Sequence, residues 1–205
     1  MHPYYWNRAS KELSRNDPVM ARLIRQYKGE ALFSRGDAFV TLVRSIVGQQ
    51  ISVKAADSIW MKMVQGIGPV TAHSVLSQDE ALLRSYGLSG QKIAYLKHLS
   101  LEFHEGKFGA MAWEELEDEH VIRELVSLRG IGTWTAEMFL IFHLMRPDVF
   151  PVADIGLRKA VEKHYRDSET MNLAELEKIS EAWRPWRTVA TWYLWRSLDP
   201  VPVAY

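Results

Sequence analysis

Apolar residues recur along this chain at intervals of three and four, and nowhere in a convincing period of two. Phe39, Leu42, Val43, Ile46 and Val47 fall at i, i+3, i+4 spacing and predict a helix with one buried face, opened by Gly36-Asp37. It runs into Gly48-Gln49-Gln50-Ile51-Ser52, where Ser52 is placed to cap the next helix, through about Met63. Upstream, Asp17-Pro18 has the form of an N-cap and first helical residue, and the helix it opens, the first, should end near Gly29. Gly66 to Pro69 breaks the pattern and is expected to be a turn. Ser77-x-x-Glu80 has the form of a capping box for a helix ending at Gly87, and Leu88 to Ile93 starts another that stops near Gly106. Further helices are expected from about Glu117 to Ser127, from Asp154 to about Tyr165, after the Asn172/Glu175 capping box, and from near Pro185 to about Leu198. The fold class that follows is all-α.

Between two of these helices lies Leu128-Arg129-Gly130-Ile131-Gly132-Thr133-Trp134-Thr135-Ala136. Gly130 and Gly132 should form a hairpin in which positive φ is needed, and Thr133 is placed to cap a new helix through Met145, which Pro147 stops. A glycine turn at a helix N-terminus presents backbone N–H groups and the positive end of the helix dipole, which suits a phosphate and carries no sequence information. A plain corner between two helices is the other reading of the same residues. Downstream, Val149-Phe150-Pro151-Val152-Ala153 delivers Asp154 to a helix start, either as a simple N-cap or as a carboxylate poised for chemistry.

Composition narrows the classes. With 205 residues the chain suffices for one large domain or two small lobes. It has no cysteine, which excludes disulfides, a thiol nucleophile, Cys-ligated zinc and an iron–sulfur cluster. No run approaches the ~20 apolar residues of a transmembrane helix, and Met1-His2-Pro3-Tyr4-Tyr5-Trp6 is no secretory signal, so a cytoplasmic protein is the expectation. The formal net charge is zero, unlike a generic nucleic-acid binder, but compatible with a local basic face while runs such as Glu114-Glu115-Leu116-Glu117-Asp118-Glu119 lie elsewhere. The seven histidines have no metal-ligand spacing, and no Ser–His–Asp set, P-loop or dinucleotide fingerprint is present.

L-x-G-I-G-x-x-T-A, an apolar helix and V-F-P-V-x-D together resemble the helix-hairpin-helix DNA glycosylase superfamily, and within it the AlkA-like bacterial 3-methyladenine DNA glycosylases II. The resemblance runs from about Gly36 to Leu198. It implies two helical lobes around a cleft: lobe A at about 36–110, lobe B at about 111–165, and terminal segments 1–35 and 166–205 packing together in one lobe. The family's larger bacterial members carry an N-terminal α/β domain, for which the residues before Gly36 are too few. The resemblance makes Asp154 the catalytic carboxylate and Trp134 and Trp195 the aromatic walls of a base pocket. It assigns DNA contacts to Gly130, Ile131, Gly132 and Thr133. Gln49, Gln50 and Ile51 correspond to the loop that wedges into the duplex, and Ser89, Gly90 and Lys92 to a second phosphate contact. It also allows a monovalent cation on the backbone carbonyls of Val126, Leu128 and Ile131, and no organic cofactor. Members that also cut the strand have a Lys just after the hairpin; here that position is Trp134, which implies a monofunctional enzyme. Arg187 is expected to be structural or on the phosphate side, and Trp183, Trp186, Trp192 and Tyr193 to pack a lobe interface.

The expected function is excision of alkylated purines such as 3-methyladenine and 7-methylguanine from damaged duplex DNA, by a monomer with no obligate protein partner. Three rivals stand beside it. A non-catalytic DNA-binding module would keep the hairpin without needing Asp154 or pocket aromatics. A helical interaction protein would suit the neutral charge. A glycosylase for oxidised or deaminated bases would share the scaffold.

Overall fold

The computed structural model describes residues 2–34, 36–106 and 108–198. Among them are twelve α-helices, one short 3-10 turn at Trp113–Glu115 and no strand. The helices are α1 Trp6–Asn16, α2 Pro18–Gln26, α3 Ala38–Gly48, α4 Val53–Ile67, α5 Ala72–Leu76 and α6 Glu80–Ser85, then α7 Gly90–His104, α8 Asp118–Val126, α9 Thr133–Phe142, α10 Ile155–Tyr165, α11 Leu173–Glu181 and α12 Arg187–Arg196. None is long and apolar enough to cross a membrane.

Most of these helices begin where a short polar side chain can accept a backbone N–H. Asp17, Asp37, Ser52, Ser89, Asp154 and Asn172 all do so, at the positions the sequence pattern indicates. Three expectations are corrected. Ser77 does not open α6: the Asp79 carboxylate lies three residues before the Leu82 N–H and takes it at 2.6 Å, while Ser77 ends α5. That short helix has its own capping box, Thr71 with Ser74. The first helix is not the one Asp17 caps but α1, which has no side-chain cap and only Trp6, Ala9 and Leu13 on its buried face. The last helix starts after Pro185, at Arg187.

The chain divides into two units, one made of residues 2–34 and 145–198, the other of 36–144. The terminal helices fall in the same unit, together with α10. The expected boundary near residue 110 lies inside the second unit, because α9 packs on α3 there.

In the first unit α12 is the central element. Every residue from Thr188 to Trp195 is buried, as expected of a helix apolar on all sides. Trp6 meets Trp192 edge to face at 5.3 Å, and Trp183 is fully buried, so the tryptophans fill the interior of this unit. Asp17 ties its helices together. One carboxylate oxygen accepts from the N–H groups of Val19 and Met20, the other from the Tyr165 hydroxyl and the Trp183 indole.

In the second unit α3 and α9 form the core, with eight of eleven α3 residues buried. An aromatic series, Phe39, Phe103, Phe108, Trp113 and Phe139, runs through it with successive ring centroids 5.1–6.1 Å apart. Helix α7 packs against α3, α5 and α6. Its two lysines use their ammonium groups as caps. Lys97 donates to the carbonyls of Val75, Leu76 and Gln78 at the end of α5, and Lys92 to Val47 and Gln49 at the end of α3.

Candidate DNA-contact and catalytic site

The residues singled out from sequence fall into two clusters, one in each unit. The first is built around Asp154. Its backbone is extended (φ −70°, ψ 121°), so it is the N-cap of α10 rather than part of it. One oxygen, Oδ1, accepts two hydrogen bonds, from the Leu157 N–H at 2.6 Å and from the Trp195 indole N–H at 2.9 Å. These donors come from different helices, so the carboxylate plane is fixed by α10 and α12 together. The group remains half-buried, and the next residue, Ile155, is 68% exposed.

Trp195 is 3% exposed. Its role here differs from that of an open pocket wall: it is a core residue whose indole nitrogen orients Asp154. Gly156 belongs to the same cluster and sequence reasoning missed it. A β-carbon there would lie 3.2 Å from Asp154 Oδ1 and 3.7 Å from the Trp195 ring. A glycine inside the first turn of a helix, where it weakens the helix, was the available signal. Arg187 is structural, gripping Asp148 through Nε–Oδ1 at 2.7 Å and donating to its carbonyl at 2.9 Å.

The second cluster is the hairpin between α8 and α9. Gly130 has φ +87°, and a β-carbon there would stand 2.2 Å from the Tyr95 ring of α7. Conformation and space both demand glycine. Gly130→Ala is therefore expected to cost at least the ~1–2 kcal/mol of a left-handed alanine, before any displacement of Tyr95. A lowered melting temperature together with weaker duplex binding checks this.

Gly132 is corrected in its reason but not in its place. Its φ is −99°, which any residue adopts, and nothing lies within 4 Å of where a β-carbon would be. What the absent side chain leaves is open space before α9 and no side-chain cap on its first turn. Thr133 is not the cap but the first helical residue, exposed beside Gly132, and α9 ends at Phe142 rather than Met145. Ile131 is also corrected. Its side chain is 5% exposed and its N–H closes the turn on the Leu128 carbonyl at 3.1 Å, so it anchors the hairpin from inside. Trp134, half-exposed, is the second residue of α9.

The 48–52 loop joins this cluster. The Gln49 amide donates to the Gly130 carbonyl at 2.9 Å and to Thr135 Oγ1 at 3.2 Å. Gln50 is exposed with φ +59°, and Ile51 is 37% exposed. Ser89 caps α7 by accepting the Lys92 N–H, and Gly90 is its first residue. Lys92, expected at a phosphate, turns its ammonium onto the protein itself. Its ammonium is engaged inside the protein, at 2.7 Å from the Val47 carbonyl and 2.8 Å from that of Gln49, and burial lowers its pKa from the ordinary lysine value. Of the carbonyls expected to hold a cation, that of Leu128 already accepts from Ile131, with one lone pair left over, while Val126 ends α8.

The chain is similar in sequence and fold to known proteins. A family model described as "HhH-GPD superfamily base excision DNA repair protein" matches residues 43–185. The DNA-3-methyladenine glycosylase 1 of Schizosaccharomyces pombe is 31% identical over 189 residues, covering 90% of this chain and 83% of that protein. A solved structure of the 3-methyladenine DNA glycosylase from the same yeast, in complex with abasic DNA, superposes with a TM-score of 0.83 at 30% identity, over 97% of this chain and 100% of that one. The structure of a DNA-3-methyladenine glycosidase from Bacillus halodurans does so with a TM-score of 0.76 at 33% identity, over 94% and 89%. With the model spanning well over half of the sequence, this chain belongs to the HhH-GPD superfamily of base excision DNA repair proteins.

Proposed function

We propose that this chain is a DNA glycosylase that hydrolyses the N-glycosidic bond of alkylated purines, 3-methyladenine and 7-methylguanine among them, in duplex DNA. The observation that carries the reading is Asp154, a carboxylate held at a helix N-terminus by two donors from separate helices. Its support is the family and the 3-methyladenine glycosylases that share its fold over most of their length.

In the reaction the bond from sugar C1′ to the purine nitrogen breaks and its electron pair leaves with the base, neutralising the charge that alkylation had placed on the ring. Positive charge builds on the sugar, and a fixed carboxylate stabilises it. Water adds its oxygen to C1′, and Asp154 takes the proton and passes it to solvent. A cationic leaving group needs little acid assistance, so no further acid is assigned. Trp134 is the residue that the resemblance gives as an aromatic wall, and an aromatic face would favour a cationic purine by about 0.5–2 kcal/mol. Gly132 and Thr133 present the first turn of α9 to a phosphate. A monovalent cation on the carbonyls of Val126, Leu128 and Ile131 would brace the hairpin and take no part in bond cleavage.

No lysine stands directly after the hairpin, so the product is an uncut abasic strand. Incubation with purine-methylated duplex DNA is expected to release free 3-methyladenine or 7-methylguanine, read by chromatography, with strand breaks only after alkali. Enzymatic nicking would overturn the monofunctional reading. Duplex binding without base release would favour a non-catalytic module.

A further inference from the structure

Helix α7 touches both segments assigned to DNA in the second unit. Lys92 holds the carbonyls of Val47 and Gln49 at the base of the 48–52 loop, and Tyr95, one turn on, packs beneath Gly130 of the hairpin. The Gln49 side chain closes the gap by donating to Gly130 and Thr135. We propose that Lys92 and Gln49 are positioning residues that lock loop and hairpin into one preformed element, acting on base extrusion without touching DNA. The proposal rests on the glycosylase reading above.

Three features support it. The Gln50 backbone is left-handed, a conformation a non-glycine residue keeps only where its surroundings hold it. It puts Gln50 and Ile51, both exposed, at the tip of the loop, as a residue that fills the gap behind an extruded base requires. A loop already in place loses no ordering entropy at each encounter. Lys97, on the same helix, is a natural control, because it makes the same kind of carbonyl clamp at the end of α5, outside both segments.

The test compares Lys92→Met, Gln49→Ala and Lys97→Met with wild type under single-turnover conditions. One duplex carries 7-methylguanine paired with cytosine, and the other carries it opposite a tetrahydrofuran abasic analogue, where extrusion breaks no base pair. Lys92→Met and Gln49→Ala are each expected to slow excision from the paired duplex about tenfold to a hundredfold. On the unpaired lesion the same variants should come within about threefold of wild type, because extrusion is least costly there. Lys97→Met should slow neither, and Lys92→Arg, which keeps a donor, should recover part of the loss.

Equal slowing on both duplexes, or none on the paired one, would overturn the proposal. Gln49→Ala keeps the test decisive if Lys92→Met does not fold. If wild type releases no base at all, the glycosylase reading fails separately. The fluorescence of 2-aminopurine placed beside the lesion then decides: a rise with wild type that Lys92→Met and Gln49→Ala lack supports the proposal, and no rise with wild type overturns it.

Discussion

Asp154→Asn is expected to lower the rate of base release by about 10²–10⁴ while leaving the fold intact. The two halves of this expectation have separate physical grounds. Asparagine has the same shape, and its carbonyl oxygen can accept from both the Leu157 N–H and the Trp195 indole, as Asp154 Oδ1 does. Asparagine and aspartate are also equivalent as N-caps, so the melting temperature should barely move. What disappears is the negative charge that stabilises the developing charge on the sugar and the site that takes a proton from water. Duplex affinity, measured by fluorescence anisotropy, should be retained. A variant that excises at the wild-type rate would remove Asp154 from the mechanism. Trp195→Phe probes the same carboxylate from the other side, because it deletes one of the two donors that orient it.

The largest stability effect is expected at Asp17, far from this chemistry in sequence. Asp17→Ala should destabilise the protein by about 3–5 kcal/mol, read as a shift of the denaturant midpoint. The substitution uncaps α2 and leaves the Tyr165 hydroxyl and the Trp183 indole without their acceptor. The Trp183 side chain is fully buried, so its N–H has no water to turn to. Burial first, and then the hydrogen bond to Asp17, push the Tyr165 pKa well above its ordinary value, so the phenol stays a donor at any working pH. Domain stabilities are about 5–15 kcal/mol, so a loss of this size is a large share of the whole. Asp17→Asn keeps one acceptor oxygen where two are used and should fall between alanine and wild type.

What was legible in the sequence was local. A side chain that caps its own helix acts over three residues, and Asp37, Ser52, Ser89, Asp154 and Asn172 could be found by spacing alone. Where two acceptors competed, at Ser77 and Asp79, spacing did not say which would win. Helix α1 has no side-chain cap to mark its start, so the signal used for the other helices was missing there. In the candidate site, the position of Asp154 was legible and its partner's task was not. Trp195 reaches it across 41 residues, and Lys92 reaches the 48–52 loop across 45 and 43. Spacing rules do not extend to such distances. The resemblance placed Lys92 on a phosphate, and spacing could not show the carbonyls that its ammonium meets.

The uncapped first turn of α9 has a consequence for how DNA affinity responds to ionic strength. Each phosphate neutralised by a lysine or arginine displaces condensed counterions and steepens the fall of affinity with salt by about 0.9 in the logarithmic slope. A turn of backbone N–H groups carries only about half a charge. A phosphate held there would displace fewer ions than one held by a lysine or arginine. Such a grip would vary little as the surrounding electrolyte changes, and it would hold every nucleotide alike, damaged or not.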